Sequence, residues 1–302
     1  MLFWWVDFCI TIKNMKRPNK NLPLIIIGLL LVLDIFLWRL IIFYKIDAPK
    51  YYFLDVGQGD SELIIASDNF GNPIKILIDG GPDNKILTQL GKILEPGDRY
   101  IDLVLMTHPQ LDHFGGFIDV LRNYKIGAFL GTGRAASILA YKQLIEIIKE
   151  KNIPYVILKE GDKIKYGEVI FDILSPNKKD LASIELNDTC LVTLITIGSH
   201  RALYVCDAGF NIEDELISKY NLASDILKVG HHGSRFSSSA KFLSAVDPRV
   251  AIIEVGKNSY GHPTQSALAN LSEVGAKIYR TDLSGNLLIQ FENKKLKIYQ
   301  EK

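Results

Sequence analysis

MTHPQLDHFGG, residues 106–116, follows directly on the aliphatic run Ile101-Asp102-Leu103-Val104-Leu105, and its reading decides the fold. The run predicts a short buried strand, so His108, Asp112 and His113 fall where a strand passes into a loop. Loops at strand ends are where open α/β sheets bind their ligands. Two imidazoles and a carboxylate so close together suit a borderline cation such as zinc, or the harder manganese. Gly115 and Gly116 then permit close backbone approach or an unusual turn. An ordinary surface loop holding two histidines would share this local pattern, and the remainder of the chain argues against it.

Upstream, residues 51–56 predict a strand entering Gly57-Gln58-Gly59-Asp60-Ser61, and residues 61–66 and 74–78 predict two more, the last ending at Asp79-Gly80-Gly81. Ile86, Leu87, Leu90, Ile93 and Leu94 recur at helical spacing, which gives the strand–helix–strand rhythm of an α/β domain. Downstream, Tyr141, Leu144, Ile145 and Ile148 mark a second amphipathic helix, and Ile212, Leu216, Ile217 and Tyr220 a third. Strands are expected at 155–158, 169–174, 191–197, 202–205, 225–229 and 250–255, with turns at 161–162, 165–167 and 198–200, and a helix capped by Thr264. The segments at 155–158, 169–174 and the hairpin 191–205 are expected to form a second sheet. Asp207, His231 with His232, and His262 each follow one of these strands, so five of the six histidines lie at strand ends. His200, in the hairpin turn, is expected in solvent. Strand ends on one side of a sheet gather in space, so these distant residues can build one site.

The chain has 302 residues, 48% of them apolar, enough for one large domain over residues 51–302. A formal charge of +1 provides no general attraction for a polyanion. Residues 22–43, LPLIIIGLLLVLDIFLWRLIIF, predict a transmembrane anchor, followed by a linker at 44–50. Asp34 costs roughly 3 kcal/mol on insertion scales, which the flanking Leu and Ile residues offset, and Arg39 can snorkel. Lys13, Lys16, Arg17 and Lys20 outweigh Lys45 and Lys50, so residues 1–21 are expected in the cytoplasm and the large domain outside. No small-x-small cleavage site follows the apolar run convincingly, which counts against a signal peptide. Residues 1–14 show no period, and Met15 is an alternative start. Of three cysteines, Cys9 lies in that stretch, while Cys190 and Cys206 fall on the hairpin and could face each other. Cross-strand geometry is often wrong for a bridge, so free thiols are expected over a disulfide.

The blocks LDVGQGDSELI (54–64), IDGG (78–81), THPQLDHFGG, NDTCLVTL, CDAG (206–209), LKVGHHGS, YGHP and RTDLSGN resemble, in order and spacing, the metallo-β-lactamase superfamily, and more narrowly the extracytoplasmic hydrolase domain of ComEC competence proteins. The likeness covers residues 51–299. It implies an α/β fold, an αββα metallo-β-lactamase sandwich, preceded here by one transmembrane helix. It further implies that His108, Asp112, His113, Asp207 and His231 are metal ligands, with Asp207 bridging two ions. Asp112, His232 and His262 would carry catalysis, the two histidines facing substrate, and Asp79 would orient a ligand histidine. Arg235 and Lys257, with Lys228 and Arg280 also near the motif loops, could pair with phosphates.

Two departures from the family pattern stand out. Gln110 occupies a position that carries histidine in the superfamily and usually aspartate in ComEC-like members, and Cys190 replaces the usual serine after Asn187-Asp188-Thr189. A site of Asp112, His113, Asp207 and His231 is therefore expected to bind zinc or manganese ahead of a thin one built from His108, Asp207 and, weakly, Gln110, Asn187 or Asp188. The resemblance implies a membrane-anchored nuclease of competence type, a phosphodiesterase using metal-activated water. The chain lacks the many-helix channel region of full-length competence proteins and is not expected to move DNA by itself; a separate DNA-uptake channel partner is a hypothesis that no residue of the sequence supports. Alternatives are an envelope esterase of phosphorylcholine esterase or lactonase type, and a degenerate, metal-poor binding module. The motif set points away from a β-lactamase.

Overall fold

The computed structural model describes residues 21–43, 48–68, 70–292 and 295–302, without the side chains of residues 22 and 40–43. The expectations for residues 1–20, including Cys9, the Met15 start and the basic cluster, lie outside the described residues, as does most of the linker.

Residues 46–302 form one compact unit. Fifteen strands are described: β1 (Lys50–Phe53), β2 (Glu62–Ser67), β3 (Pro73–Ile78), β4 (Tyr100–Leu105), β5 (Lys125–Gly131), β6 (Tyr155–Ile157), β7 (Lys163–Tyr166), β8 (Val169–Ser175), β9 (Val192–Ile197), β10 (His200–Tyr204), β11 (Ile226–Lys228), β12 (Val250–Ile253), β13 (Lys277–Arg280), β14 (Leu287–Glu292) and β15 (Lys295–Gln300). They make two sheets, ordered β15-β14-β1-β2-β3-β4-β5-β6 and β13-β12-β11-β10-β9-β8-β7. Tyr51, Phe53, Ile76, Leu105, Phe171, Ile195, Tyr204 and Ile226 come from both sheets and pack into one buried cluster between them.

The alternation of β-strand side chains explains the other two layers. Tyr51 and Phe53 enter the space between the sheets, whereas Leu54 joins Val104, Met106 and the buried faces of helices Lys85–Ile93, Phe117–Asn123 and Leu139–Glu150. Helices Phe210–Lys219, Ala240–Val246 and Gln265–Glu273 cover the second sheet through Ile212, Leu216, Phe242, Leu243 and Leu271. Helices on both outer faces around two sheets are the expected αββα sandwich. β4 reads as a nearly continuous aliphatic run because it is covered on both faces.

Three local expectations are corrected. β6 pairs with β5 and so belongs to the first sheet, not the second. Residues 163–166, read as a turn at 165–167, form strand β7 against β8. Cys190 and Cys206, expected as free thiols, are joined in a disulfide with Cα atoms 6.0 Å apart; they stand just beyond the paired ends of β9 and β10, where the hairpin register brings the two chains together.

Residues 22–43 form a separate helix, Leu22–Phe43. No helix is long and apolar enough to cross a membrane over the residues searched; the side chains of this one are described only from 23 to 39, and those are exposed.

Candidate metal centre

Parallel pairing of β3 with β4, of β10 with β11 and of β11 with β12 aligns the strand ends that carry the motifs. Asp79 leaves β3 with φ 50°, and Cys206 leaves β10 with φ 53°, immediately before Asp207. Beyond β11, His231 and His232 are both left-handed, at φ 49° and 53°. Such backbone is uncommon in non-glycine residues and clusters at functional sites. It sends the two rings apart: the His231 side chain is 30% exposed and that of His232 only 3%. Asp112 and His113 lie on a single helical turn, Leu111–Phe114. That turn is held close by glycine, since a Cβ on Gly116 would stand 2.1 Å from the Gly80 carbonyl oxygen and one on Gly115 2.1 Å from that of Pro82.

His113 is fixed from behind. Its Nδ1 lies 2.7 Å from Asp79 Oδ2, and Asp79 also accepts from Thr107 N at 2.8 Å and Thr107 Oγ1 at 2.6 Å. This carboxylate assigns the proton to Nδ1 and leaves Nε2 aimed inward, 3.5 Å from Asp207 Oδ2. His232 is arranged likewise: Nδ1 meets the Glu254 carbonyl at 2.8 Å and Asp60 Oδ1 at 3.1 Å, while Nε2 faces Asp112 Oδ2 at 3.4 Å and Asp207 Oδ1 at 4.0 Å. The His108 ring lies 4.2 Å from that of His113.

The donor set tests whether a cation fits. His108 Nε2, His113 Nε2, His232 Nε2 and both Asp207 carboxylate oxygens are buried with no hydrogen-bond partner. Buried polar atoms without partners cost about 1–3 kcal/mol each, and these converge in two overlapping groups, His108/His113/Asp207 and Asp112/His113/His232. The charges agree. Burial alone would lower His113, but Asp207 and Asp79 override it and hold it well above its ordinary value. Burial opposes Asp60 and Asp207 at His232 too, and the carboxylates win, raising it to about 10. Asp207, despite burial, is held far below the carboxylate range by His113 and His232, while burial and the neighbouring His113 push His108 down to about 3. Carboxylates in excess therefore draw positive charge inward, and a divalent cation would replace the protons on His113 and His232. The residues fit a metal.

The other sequence candidates divide. Gln110 Nε2 donates to Asn187 Oδ1, so the two amides close on each other at the rim. Asp188 is committed to Ser183 Oγ at 2.7 Å and Asn211 Nδ2 at 3.0 Å, which turns it away from the expected role of weak ligand. His231 approaches the group at Asp207 Oδ2, 3.8 Å away, and its ring stands 6.3 Å from that of His232 and 5.5 Å from that of His262. A cavity of about 440 Å³ opens here, lined by Gln58, Gln110, Asp112, Asn187, Asp207, His231, His232, Tyr260 and His262 among others. Among the described residues, no lysine or arginine lines it. Arg235 and Lys257 are exposed outside it. Lys228, expected near phosphate, is instead buried at 1% exposure and paired with Asp60 at 2.6 Å, and Arg280 is engaged by Asp282 at 2.6 Å. His200, expected in solvent, stacks on Phe291 with ring centroids 3.4 Å apart. Asp60, Glu254, Gln58 and Tyr260 border the site without having been assigned roles; the signal for Asp60 was an acid directly after the Gly57-Gln58-Gly59 turn.

Residues 74–256 match the metallo-beta-lactamase superfamily. The chain belongs to that superfamily. Within it, ComE operon protein 3 of Bacillus subtilis (strain 168) is 29% identical over 259 residues, 80% of this chain and 33% of that protein. Competence protein ComA of Neisseria gonorrhoeae is 30% identical over 237 residues, 77% of this chain and 31% of that protein. The chain thus spans about a third of the length of these relatives. Among solved structures, the metallo-beta-lactamase fold protein YhfI from Bacillus subtilis aligns with a TM-score of 0.56 at 14% identity, covering 81% of this chain and 100% of its own. CmlA, a diiron beta-hydroxylase from Streptomyces venezuelae, aligns at 0.52 and 13%, covering 82% of this chain and 55% of its own. These structural likenesses show a shared fold; in this chain, separately, Asp79, His108, Asp112, His113, Asp207 and His232 gather where its strands end.

Proposed function

We propose that this chain is a metal-dependent phosphodiester hydrolase, with DNA as its substrate. The observation that carries the reading is the convergence of orphaned buried imidazole nitrogens and Asp207 oxygens beside a cavity. The similarity to competence proteins supports DNA. Asp112, His113, Asp207 and His232 would hold one zinc or manganese ion; His232 takes the place expected of His231 because its Nε2 is buried and aimed at Asp112. His108 and Asp207, with only Gln110 and Asn187 beside them, would make a thin second site. A divalent cation, when bound, acidifies a water and draws charge from a phosphoryl oxygen.

The chain's own residues do the rest. Asp79 and the Glu254 carbonyl keep the inward nitrogens of His113 and His232 free of protons when a cation is present. His231 and His262 face the substrate. Burial and the adjacent His231 push His262 down to about 4, so near neutrality it offers an uncharged N–H to a phosphate oxygen and is a poor proton donor to a leaving group. Its loop is clamped by Asn258, which accepts from His262 N at 3.1 Å and donates to the His262 carbonyl at 2.8 Å.

Membrane anchoring through Leu22–Phe43 is part of the proposal, resting on the helix's sequence: 22 residues, rising about 33 Å at the α-helical repeat, with Asp34 and Arg39 its charged residues. The basic residues Lys13, Lys16, Arg17 and Lys20 support an orientation with the catalytic unit outside the cell, where a separate channel protein would move DNA. A second reading, a small phosphoester substrate, is favoured by a cavity lining that, among the described residues, holds no lysine or arginine.

Full-length chain in detergent, beside Asp112→Ala, would be assayed for bound metal and for nucleotide release from single- and double-stranded DNA with zinc or manganese. Metal and cleavage, both lost in the variant, support the nuclease. Metal with hydrolysis of a chromogenic phosphodiester but no DNA cleavage moves the substrate to the small class. Absence of both metal and turnover leaves a binding module.

A further inference from the structure

Behind His232, on the side away from the cavity, lies a buried polar group for which the proposed hydrolysis has no direct use. Lys228, Asp60, Glu62 and Glu254 are each exposed by 2% or less. Lys228 Nζ lies 2.6 Å from Asp60 Oδ2, 3.2 Å from the Val229 carbonyl and 3.8 Å from Glu254 Oε2. The carboxylates of Asp60, Glu62 and Glu254 are close enough to one another to suggest a cation site, but the ammonium of Lys228 already stands among them.

A buried lysine and its carboxylate partners are costly to desolvate, and apolar residues of similar volume often serve stability as well or better. Their arrangement here points at one atom. Asp60 gives Oδ2 to Lys228 and turns Oδ1 toward His232 Nδ1, 3.1 Å away, as an ion-pair contact: Oδ1 has no hydrogen-bond partner, and Nδ1 is hydrogen-bonded to the Glu254 carbonyl. Glu254 anchors the same neighbourhood by accepting from Leu54 N at 3.3 Å and Ser61 N at 3.2 Å through Oε1, while its carbonyl meets His232 Nδ1 at 2.8 Å. Asp60 N is tied to the Asp112 carbonyl at 3.2 Å. The group therefore links the backbone of Asp112 to the ring of His232, through a Lys228–Asp60 contact between residues 168 apart in sequence. His232 needs such support because its backbone is left-handed, and Asp60 adds to the single hydrogen bond between the ring and the Glu254 carbonyl.

We propose that Asp60, held by Lys228, is a positioning residue for His232: it fixes the ring so that Nε2 faces Asp112 and Asp207. This rests on the reading of His232 as a metal ligand.

The test separates positioning from mere charge burial. Two full-length variants, each without the buried ion pair, would be compared: Asp60→Asn with Lys228→Met, which keeps an acceptor toward His232, and Asp60→Ala with Lys228→Met, which does not. Folding would be checked by circular dichroism, and zinc affinity measured by competition with a chromophoric chelator. The alanine pair should bind zinc about 10–100-fold more weakly than wild type, and the asparagine pair should recover most of that loss. Equal affinities in the two folded variants would overturn the positioning role while leaving the metal site intact. Wild-type chain that binds no zinc would overturn both, which distinguishes the two failures. Should the alanine pair not fold, wild-type chain labelled with ¹⁵N-histidine supplies the answer: zinc must shift His232 Nε2 and leave Nδ1 protonated, and a zinc shift at Nδ1 refutes the proposal.

Discussion

Asp79→Asn is the substitution that probes the centre most sharply, because it changes one atom and no volume. Asp79 is 1% exposed and accepts three hydrogen bonds, from Thr107 N, Thr107 Oγ1 and His113 Nδ1. An asparagine can keep Oδ1 on the Thr107 amide, but its Nδ2 then faces His113 Nδ1 and donates where the carboxylate accepted. His113 must move its proton to Nε2, the nitrogen that would hold the metal. Loss of an outer partner to a ligand histidine typically weakens metal binding about 10–100-fold, or roughly 1.4–2.7 kcal/mol. At zinc 100 times the wild-type Kd, ligand stabilisation is about 2.7 kcal/mol, and it would fall to between about 0.4 and 1.4 kcal/mol in the variant. For a domain of this size that shrinks the zinc-induced rise in Tm by roughly 3–9 °C. The assay is a pair of thermal melts, with zinc and with chelator, beside a chelator-competition titration. A folded variant whose zinc affinity stays within twofold of wild type would show that Asp79 does not set the His113 tautomer.

Gln110→Asp adds a carboxylate beside His108 and Asp207 in place of the amide that closes on Asn187, and metal content by atomic emission should rise from about one toward two per chain. The 16-residue separation of Cys190 and Cys206 predicts that reducing the disulfide costs about 3 kcal/mol, read as a lower urea midpoint in dithiothreitol; an unchanged midpoint would contradict it. In metal-free chain, the raised value of His232, about 10, means that the folded state holds a proton the unfolded state has released. That contribution is complete below pH about 6.5 and is lost as pH rises toward 10, so the metal-free Tm should fall over this window. Zinc binding at pH 7 should likewise release protons, measurable from the buffer dependence of its heat.

His108, Asp112, His113 and Asp207 were legible because each stands just beyond an apolar run that is buried on both faces, and a strand's end is a local property. The His231–His232 pair was not resolvable. Adjacent residues with left-handed backbone point apart, and which one turns inward depends on Asp60 and the Glu254 carbonyl rather than on spacing. Lys228 was misread for the same reason, since its partner is 168 residues away. Asp188 lies next to Asn187, yet Ser183 and Asn211 hold it elsewhere.

The sequence by itself determined the α/β class and the strand ends that carry the chemistry, because hydrophobic period acts over a few residues, and its motif blocks carried the resemblance that implied the αββα superfamily. Only the tertiary structure decided that Cys190 and Cys206 are bonded, that β6 joins the first sheet, that Lys228 is buried, and which imidazole nitrogens converge. Those outcomes depend on contacts between segments far apart in the chain, where burial removes water as the competing partner and leaves each polar atom to the one neighbour the packing brings within reach.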